Sequence, residues 1–480
     1  MDSKYGGSSQ EGVVVLMVPF PSQGHLNQLL HLSCIISAQG VAVHYLSTAT
    51  HSRQARRRVQ GWDQVAISNI VFHEYSSLSF RCPPPDPYAS IRFPSHLQPL
   101  FEASLHLRKP VAELLRKLSA TSRRVVIIHD SMMGSVVQDF VEFPNAESYT
   151  FHSVSAFSIL FFLWEKKGRP FSIDSEILEI LPSLEGCFTP EFGRFMAKQH
   201  QYKKLNSGEI YNTSRVIENH FFELLTKPEI SKKRQWAMGP FNPVILINNI
   251  TEEEEEEEEE ESNSSRHKCL KWLDMQASNS VMFVSFGTTT SLSDEEIGEL
   301  AVGLEKSEVK FLWVLRNADR GDAFTEEDKG TMEKLPSGFE ERNQENGLIL
   351  VRDWAPQLEI LGHPATGGFL SHCGWNSCME SISMGVPIAA WPMHSDQPRN
   401  AALITKILKI GVAVKEWGPA GSVRSSNCGV ERALRKLMVS EEGEEVRKRA
   451  AELGAAVRTA VAEGGAAQME LESFISHINR

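Results

Sequence analysis

The sequence predicts an α/β fold built from two parallel sheets covered by helices, and three observations carry that prediction. Short β-branched runs alternate with longer amphipathic segments along most of the chain, the order produced when parallel strands are joined by crossover helices. The alternation breaks at a polar, glutamate-rich stretch and then restarts, which implies a second unit of the same kind. At 480 residues the chain also exceeds the size at which one hydrophobic core stops growing, so two domains are expected.

In the first half, residues 13–18, 41–46, 124–128 and 148–152 read as strands, and residues 26–38 read as a helix ended by Gly40. After the break, residues 281–286, 310–315, 348–351, 368–371 and 387–391 read as strands, each with helical sequence nearby. Residues 441–480 read as two helices separated near Gly464 and Gly465. The expected units are 1–247, a linker 248–266, a second domain 267–462, and a helix in 463–480 that can pack back on the first unit.

The net charge of −12 is misleading, because the unbroken run of ten glutamates at 252–261 contributes −10 and leaves −2 for the rest. Ten adjacent carboxylates repel one another, so 248–266 is expected to be a disordered linker or surface insertion. The balanced remainder has no basic stripe, which argues against nucleic-acid binding. Four arginines lie between Arg53 and Arg58, and they read as a solvated helix face. The polar residues 1–12 and the short apolar run that follows do not read as a signal peptide or a membrane span, so a soluble cytoplasmic monomer is the expectation. Seven cysteines without a C-x-x-C pair argue against a disulfide framework or structural zinc, and no metal ligands are expected at His372, Cys373 and Cys378.

Open parallel sheets bind ligands at the carboxyl ends of their strands, and two facing sheets form a cleft between them. The loops after the strands therefore hold the candidate site. Trp354 offers a flat ring for stacking a base, or a core residue; the Ala355 backbone and the Gln357 amide can meet a pyrimidine edge. His372, Gly374, Asn376 and Ser377 form a tight turn opening a helix, where free amides attract phosphate. Ser377 and Glu380 also have capping-box spacing, while Glu380 can instead accept from two ribose hydroxyls. Asp396 and Gln397 can clamp adjacent sugar hydroxyls, with an N-cap as the competing role of Asp396. In the first half, His25 follows the first strand and Asp130 follows 124–128, so the imidazole is a candidate base and the carboxylate its orienting partner. The neighbouring His129 reads as packing.

Residues 354–397, WAPQLEILGHPATGGFLSHCGWNSCMESISMGVPIAAWPMHSDQ, closely resemble the donor-binding signature of plant family 1 UDP-glycosyltransferases. The resemblance extends over nearly the whole chain, including CLKWLD (269–274) and VSFGT (284–288). It implies the GT-B architecture: two facing Rossmann-like domains with parallel sheets and an interdomain cleft, the first binding the acceptor and the second the UDP-sugar. By this resemblance Trp354 stacks on uracil and Glu380 holds ribose. His372, Asn376 and Ser377 face the diphosphate, Trp375, Asp396 and Gln397 meet the sugar, and Thr288 bonds a phosphate or caps the helix near Leu292. The family's His and Asp pair falls on His25 and Asp130. The implied reaction is inverting transfer of a hexose from UDP-glucose to a small hydrophobic acceptor, with no metal and no other cofactor. The first loop, VPFPSQGHLNQ (18–28), with FPSHLQPLFEASLHLR (93–108), IHDSMMGSVVQD (128–139) and ESYTFHSVSAFS (147–158), resembles zeatin O-glucosyltransferases. Ser22, Gln23 and an aromatic wall of Phe151, His152 and Phe157 are the candidate acceptor contacts, with core packing as the other role for the wall. Glucosylation of another secondary metabolite, such as a flavonoid or phenol, and non-catalytic hormone binding are the alternatives. An NAD-dependent oxidoreductase would need a GxGxxG turn after 13–18, and the sequence has none there. A glycosidase would need paired acids in comparable loops, and none is evident.

Overall fold

The computed structural model describes residues 11–62, 64–76, 79–244, 267–322, 335–351, 354–418, 423–425 and 429–480. The expected linker 248–266, with its glutamate run, lies outside the described residues, as do most of the N-terminal segment 1–12 and part of the loop before Gly429.

Two parallel sheets form as expected. The first contains β1 (Glu11–Val18), β2 (Ala42–Thr48), β3 (Ile70–Tyr75), β4 (Ser122–Asp130), β5 (Ala146–His152), β6 (Gly208–Tyr211) and β7 (Arg234–Ala237), in the spatial order β3-β2-β1-β4-β5-β6-β7. The second contains β8 (Val281–Ser285), β9 (Lys310–Leu315), β10 (Gly347–Val351), β11 (Thr366–Ser371), β12 (Ile388–Ala390) and β13 (Gly411–Ala413), in the order β10-β9-β8-β11-β12-β13. Both orders reverse direction beside their first strand, which opens a crevice at the strand ends. In the first sheet the reversal falls between β1 and β4, where Val18 pairs with His129; in the second it falls between β8 and β11, where Ser285 pairs with Ser371.

Both sheets are buried on two faces, so their strands read as continuous apolar runs. Val15, Met17, Val126 and Ile128 line one core of the first sheet, and Val14, Leu16, Val125 and Ile127 line the other. Within these two sheets the sequence reading lacks β3, β6, β7 and β13, which are short or interrupted by polar residues; it also lacks the short antiparallel pair Lys415–Trp417 and Val423–Ser425. Glu209 in β6 is buried because His152 bonds to it at 2.9 Å and Tyr211 donates to it at 2.9 Å.

The two halves are joined by buried and partly buried polar contacts. Arg399, 1% exposed, pairs with Glu165 at 2.7 Å, and Ser155 Oγ donates to Asn400 Oδ1 at 2.8 Å. Arg92 pairs at 2.7 Å with Glu296, the residue that completes the capping box begun by Ser293. At the end of the chain, the helix Ala466–Asn479 sets Phe474 among residues of the first sheet, edge-on to Trp236 at 5.2 Å and Tyr149 at 5.3 Å. Among the described residues no helix is long and apolar enough to cross a membrane.

Phe474 is fully buried, so truncation removes its transfer energy and leaves a cavity. Phe474→Ala is expected to lower stability by about 3–5 kcal/mol, measured as a shift in urea midpoint. A loss below about 1 kcal/mol would mean that this helix contributes little to the first core.

Candidate active site

A cavity of about 610 Å³ runs between the two sheets, and residues from both halves line it. Its two sides are the two switch points described above.

On the first side, the loop after β1 turns at Ser22 into the helix Gln23–Ala38, so His25 sits on the first turn of that helix at the strand end. Asp130 is the last residue of the adjacent β4. His25 Nδ1 and Asp130 Oδ2 are 2.7 Å apart, and Asp130 Oδ1 accepts from Met132 N at 2.9 Å. Both carboxylate oxygens are thereby engaged. With Nδ1–H donating to Asp130, Nε2 carries the free lone pair. The imidazole remains 23% exposed, whereas the Asp130 side chain is fully buried. Burial opposes protonation of His25, but the charge and hydrogen bond of Asp130, with the charge of Asp396, outweigh it and raise the imidazole pKa above its usual 6.5. The neighbouring His129 is held instead by the Asp130 carbonyl at 2.8 Å, and burial lowers its pKa to about 4.

On the second side, Gly287 and Thr288 follow β8, while His372 to Gly374 follow β11 and open the helix Trp375–Met384. Gly374 stands at the N-cap with no side-chain cap bond. The amides at the start of this helix therefore have no side-chain acceptor, and they can receive an anion. His372 lies against both glycines and burial lowers its pKa to about 4, so it is a neutral donor or acceptor; its buried Nδ1 has no partner among the described residues. The capping box read into Ser377 and Glu380 does not form. Gln357 Nε2 donates instead to Ser377 Oγ at 3.0 Å and to Glu380 Oε2 at 2.6 Å, while Asn376 Nδ2 donates to Glu380 Oε1 at 3.2 Å. Burial, partly countered by the Gln357 bond, pushes the Glu380 pKa up to about 7. The Gln357 amide is thus committed to this cluster, and the Ala355 carbonyl accepts from Gln357 N at 2.8 Å.

The competing cap roles of Thr288 and Asp396 are also absent. Ser293 caps the helix Asp294–Ser307, leaving Thr288 on the cavity wall. Asp396 makes no side-chain cap bond and accepts from Asn400 Nδ2 at 2.8 Å, and burial raises its pKa. Gln397 Oε1 accepts from Met393 N at 2.9 Å and His394 N at 3.0 Å, pinning the loop. Trp375 lines the cavity, but its indole N–H donates to the Asn212 carbonyl at 2.8 Å and is unavailable to a sugar.

Two readings are corrected. Arg58 does not belong to a solvated face: it is 6% exposed, pairs with Asp319 at 2.5 Å, and lies over the Trp354 ring at 4.4 Å. Phe151 and Phe157 do not wall the cavity. Phe151 packs on Phe241, and Phe157 packs on Phe161 and Phe221, because β5 is covered on both faces and the following helix turns its aromatic side inward. His152 does reach the cavity, stacked on Tyr211 at 4.7 Å, as do Ser22 and Gln23, although Gln23 is tied to Asn27 and Gln54. The aromatic wall comes from elsewhere: Phe93, Phe101, Phe188 and Phe192, with Phe93 and Phe192 4.6 Å apart. Phe93 and Phe101 lie in the 93–108 stretch singled out above, but Phe188 and Phe192 carry no local signal. Among the described residues no group of three or more His, Cys, Asp or Glu side chains is gathered to hold a metal.

Known proteins share the two-sheet architecture. Residues 11–243 match the family model described as glycosyltransferase, N-terminal domain, and residues 209–442 match that described as UDP-glucoronosyl and UDP-glucosyl transferase. The chain belongs to the UDP-glycosyltransferase family. It is 52% identical over 468 residues to a zeatin O-glucosyltransferase of Phaseolus lunatus, covering 98% of this chain and 97% of that one. It is 50% identical to a zeatin O-xylosyltransferase of Phaseolus vulgaris, with 98% of each chain covered. A crystal structure of a UGT transferase from Siraitia grosvenorii in complex with UDP superimposes with a TM-score of 0.73 at 27% identity, covering 98% of this chain and 100% of that one. The two facing sheets are therefore a GT-B fold.

A Cβ on Gly287 would lie 2.6 Å from His372 Nε2, at a backbone φ of +73° that disfavours a side chain. Gly287→Ala is expected to weaken UDP binding about tenfold, or ~1.4 kcal/mol, in calorimetric titration. Unchanged affinity would remove this loop from the donor site.

Proposed function

We propose that this enzyme transfers glucose from UDP-glucose, with inversion, to the side-chain hydroxyl of the cytokinin zeatin. The observation that carries the chemistry is the 2.7 Å bond between His25 and Asp130, which leaves Nε2 free beside a cavity shared by both halves. In this reading His25 Nε2 takes the proton of the acceptor hydroxyl as its oxygen attacks the anomeric carbon. The bond from that carbon to the diphosphate oxygen breaks, and UDP leaves with the electron pair from the opposite face. Asp130 stabilises the imidazolium without itself taking the proton.

On the donor side, Trp354 and Ala355 receive uracil, and Glu380, supported by Gln357, accepts from ribose. The amides of Gly374, Trp375 and Asn376, with Ser377, His372 and Thr288, meet the diphosphate, so the leaving charge is stabilised without a metal. Asp396 and Gln397 hold the sugar hydroxyls. Zeatin, an adenine bearing an apolar side chain with a terminal hydroxyl, suits a cavity lined by Phe93, Phe101, Phe188 and Phe192, and Ser22, Gln23 and His152 offer polar contacts. Relatives that share about half of the sequence are named for zeatin. Because one of them is named a xylosyltransferase, UDP-xylose is the second donor to consider.

The test is turnover. With UDP-glucose and zeatin the enzyme is expected to add one hexose by mass, and His25→Ala is expected to lose about 10²–10⁴-fold in kcat with UDP affinity nearly intact. Wild-type rates in that variant would refute the base assignment. A mass gain of one pentose from UDP-xylose alone would move the donor from glucose to xylose.

The pH dependence follows from the raised pKa of His25. Only the neutral imidazole accepts a proton, so kcat/KM should rise with pH through a midpoint above 6.5. Asp130→Asn removes the charge that holds the proton on, and its midpoint is expected at lower pH, with a reduced plateau. A midpoint that stays in place would separate Asp130 from His25.

A further inference from the structure

From the cavity wall, which Gln28 helps line, runs a chain of buried amide side chains that the proposed mechanism does not use. Gln28, 2% exposed, sits on the turn after His25. Its Nε2 donates to the Gly24 carbonyl at 3.1 Å and the Ser153 carbonyl at 3.3 Å, and its Oε1 accepts from Asn212 Nδ2 at 3.0 Å. Asn212, 1% exposed, directly follows β6, and its Oδ1 accepts from Phe241 N at 3.0 Å. The main-chain carbonyl of the same residue accepts the indole N–H of Trp375 at 2.8 Å. Trp375 is the first residue of the helix Trp375–Met384, whose N-terminus faces the cavity.

Three buried residues thus connect the turn carrying His25 in one half to the anion-receiving turn in the other. The packing allows little slack, since a Cβ on Gly239 would lie 2.5 Å from Asn212 Oδ1. An alkyl side chain at position 28 would leave the Asn212 amide as a buried donor without its partner, which the surrounding structure can relieve only by moving. Movement of this kind matters because rates of transfer between held groups fall steeply when reacting atoms separate by about 1 Å.

We propose that Asn212 is a positioning residue that, through Gln28 and Trp375, sets the distance between His25 and the anomeric carbon of the bound donor. The assignment rests on the transfer reading above, and it concerns geometry between the two halves rather than affinity for either substrate.

A double-mutant cycle on the full chain tests it, using Gln28→Met, Trp375→Phe and the pair, with kcat, donor KM and UDP affinity measured for each. Each single variant is expected to lose about tenfold in kcat with UDP affinity within about twofold, and the pair to lose about tenfold rather than a hundredfold, because both cut one chain. Asn212→Asp retains the carbonyl that meets Trp375 and an acceptor for Phe241 N while losing the donor to Gln28. It is expected to lose about tenfold in kcat when assayed well below its melting temperature, which the buried carboxylate facing Gln28 Oε1 lowers. Multiplicative losses in the pair, a rise in donor KM at unchanged kcat, or full activity in Asn212→Asp would overturn the proposal. His25→Ala is run alongside: a wild-type enzyme that turns over only with His25 intact, combined with a multiplicative pair, defeats the coupling alone. Absence of transfer in the wild type defeats both readings.

Discussion

One hydrogen bond organises the first half's side of the cavity: the 2.7 Å contact between His25, on the turn after β1, and Asp130, at the end of β4. It forms because β1 and β4 are neighbours in parallel register, with Val18 opposite His129, although more than a hundred residues separate the partners in sequence. The strand order reverses at this pair, so no crossover helix covers the strand ends and the imidazole meets open space. A buried carboxylate beside a partly exposed imidazole selects the tautomer and favours proton acceptance at Nε2. The same result would be hard to obtain from a loop alone, since the orientation is set by two strands of a rigid sheet.

The second sheet repeats the topology but uses its switch point differently. Residues after β8 and β11 place glycines, a neutral His372 and an uncapped helix start together, an arrangement that favours negative charge without itself carrying a full positive charge. In the proposed mechanism one Rossmann-like half presents a base and the other an anion site. Polar contacts such as Arg58 with Asp319 and Trp375 with Asn212 hold the two in register. The helix Ala466–Asn479, packed on the first sheet, adds a further tie between the ends of the chain.

Much of this was legible in the sequence because strand-end loops are local. The turn holding His25, the run from His372 to Ser377 and the pair Asp396–Gln397 each lie beside a recognisable strand, so their placement followed from the α/β pattern and from the family signature. What was not legible depends on tertiary neighbours. Arg58 is indistinguishable in sequence from Arg56 and Arg57, yet it alone turns into the cleft to meet Asp319 and Trp354. Phe151 and Phe157 looked like a ligand wall, but two-sided burial of β5 places Phe151 in the core, and the following helix Ala156–Lys166 turns Phe157 inward. The actual wall draws Phe93, Phe101, Phe188 and Phe192 from separated segments, and no local spacing announces their convergence. The strand β6 was missed because its Glu209 reads as a surface residue until His152, Lys203 and Tyr211 are seen to surround it.

In the proposed mechanism, a base in one half facing a nucleotide in the other permits attack only from the face opposite the departing diphosphate. The most direct test is therefore the stereochemistry of the product, read from the anomeric proton coupling in a nuclear magnetic resonance spectrum of purified glucoside made from UDP-α-glucose. A large diaxial coupling, diagnostic of the β-glucoside, is the predicted result. A small coupling, diagnostic of the α-glucoside, would contradict the facing geometry on which the mechanism is built.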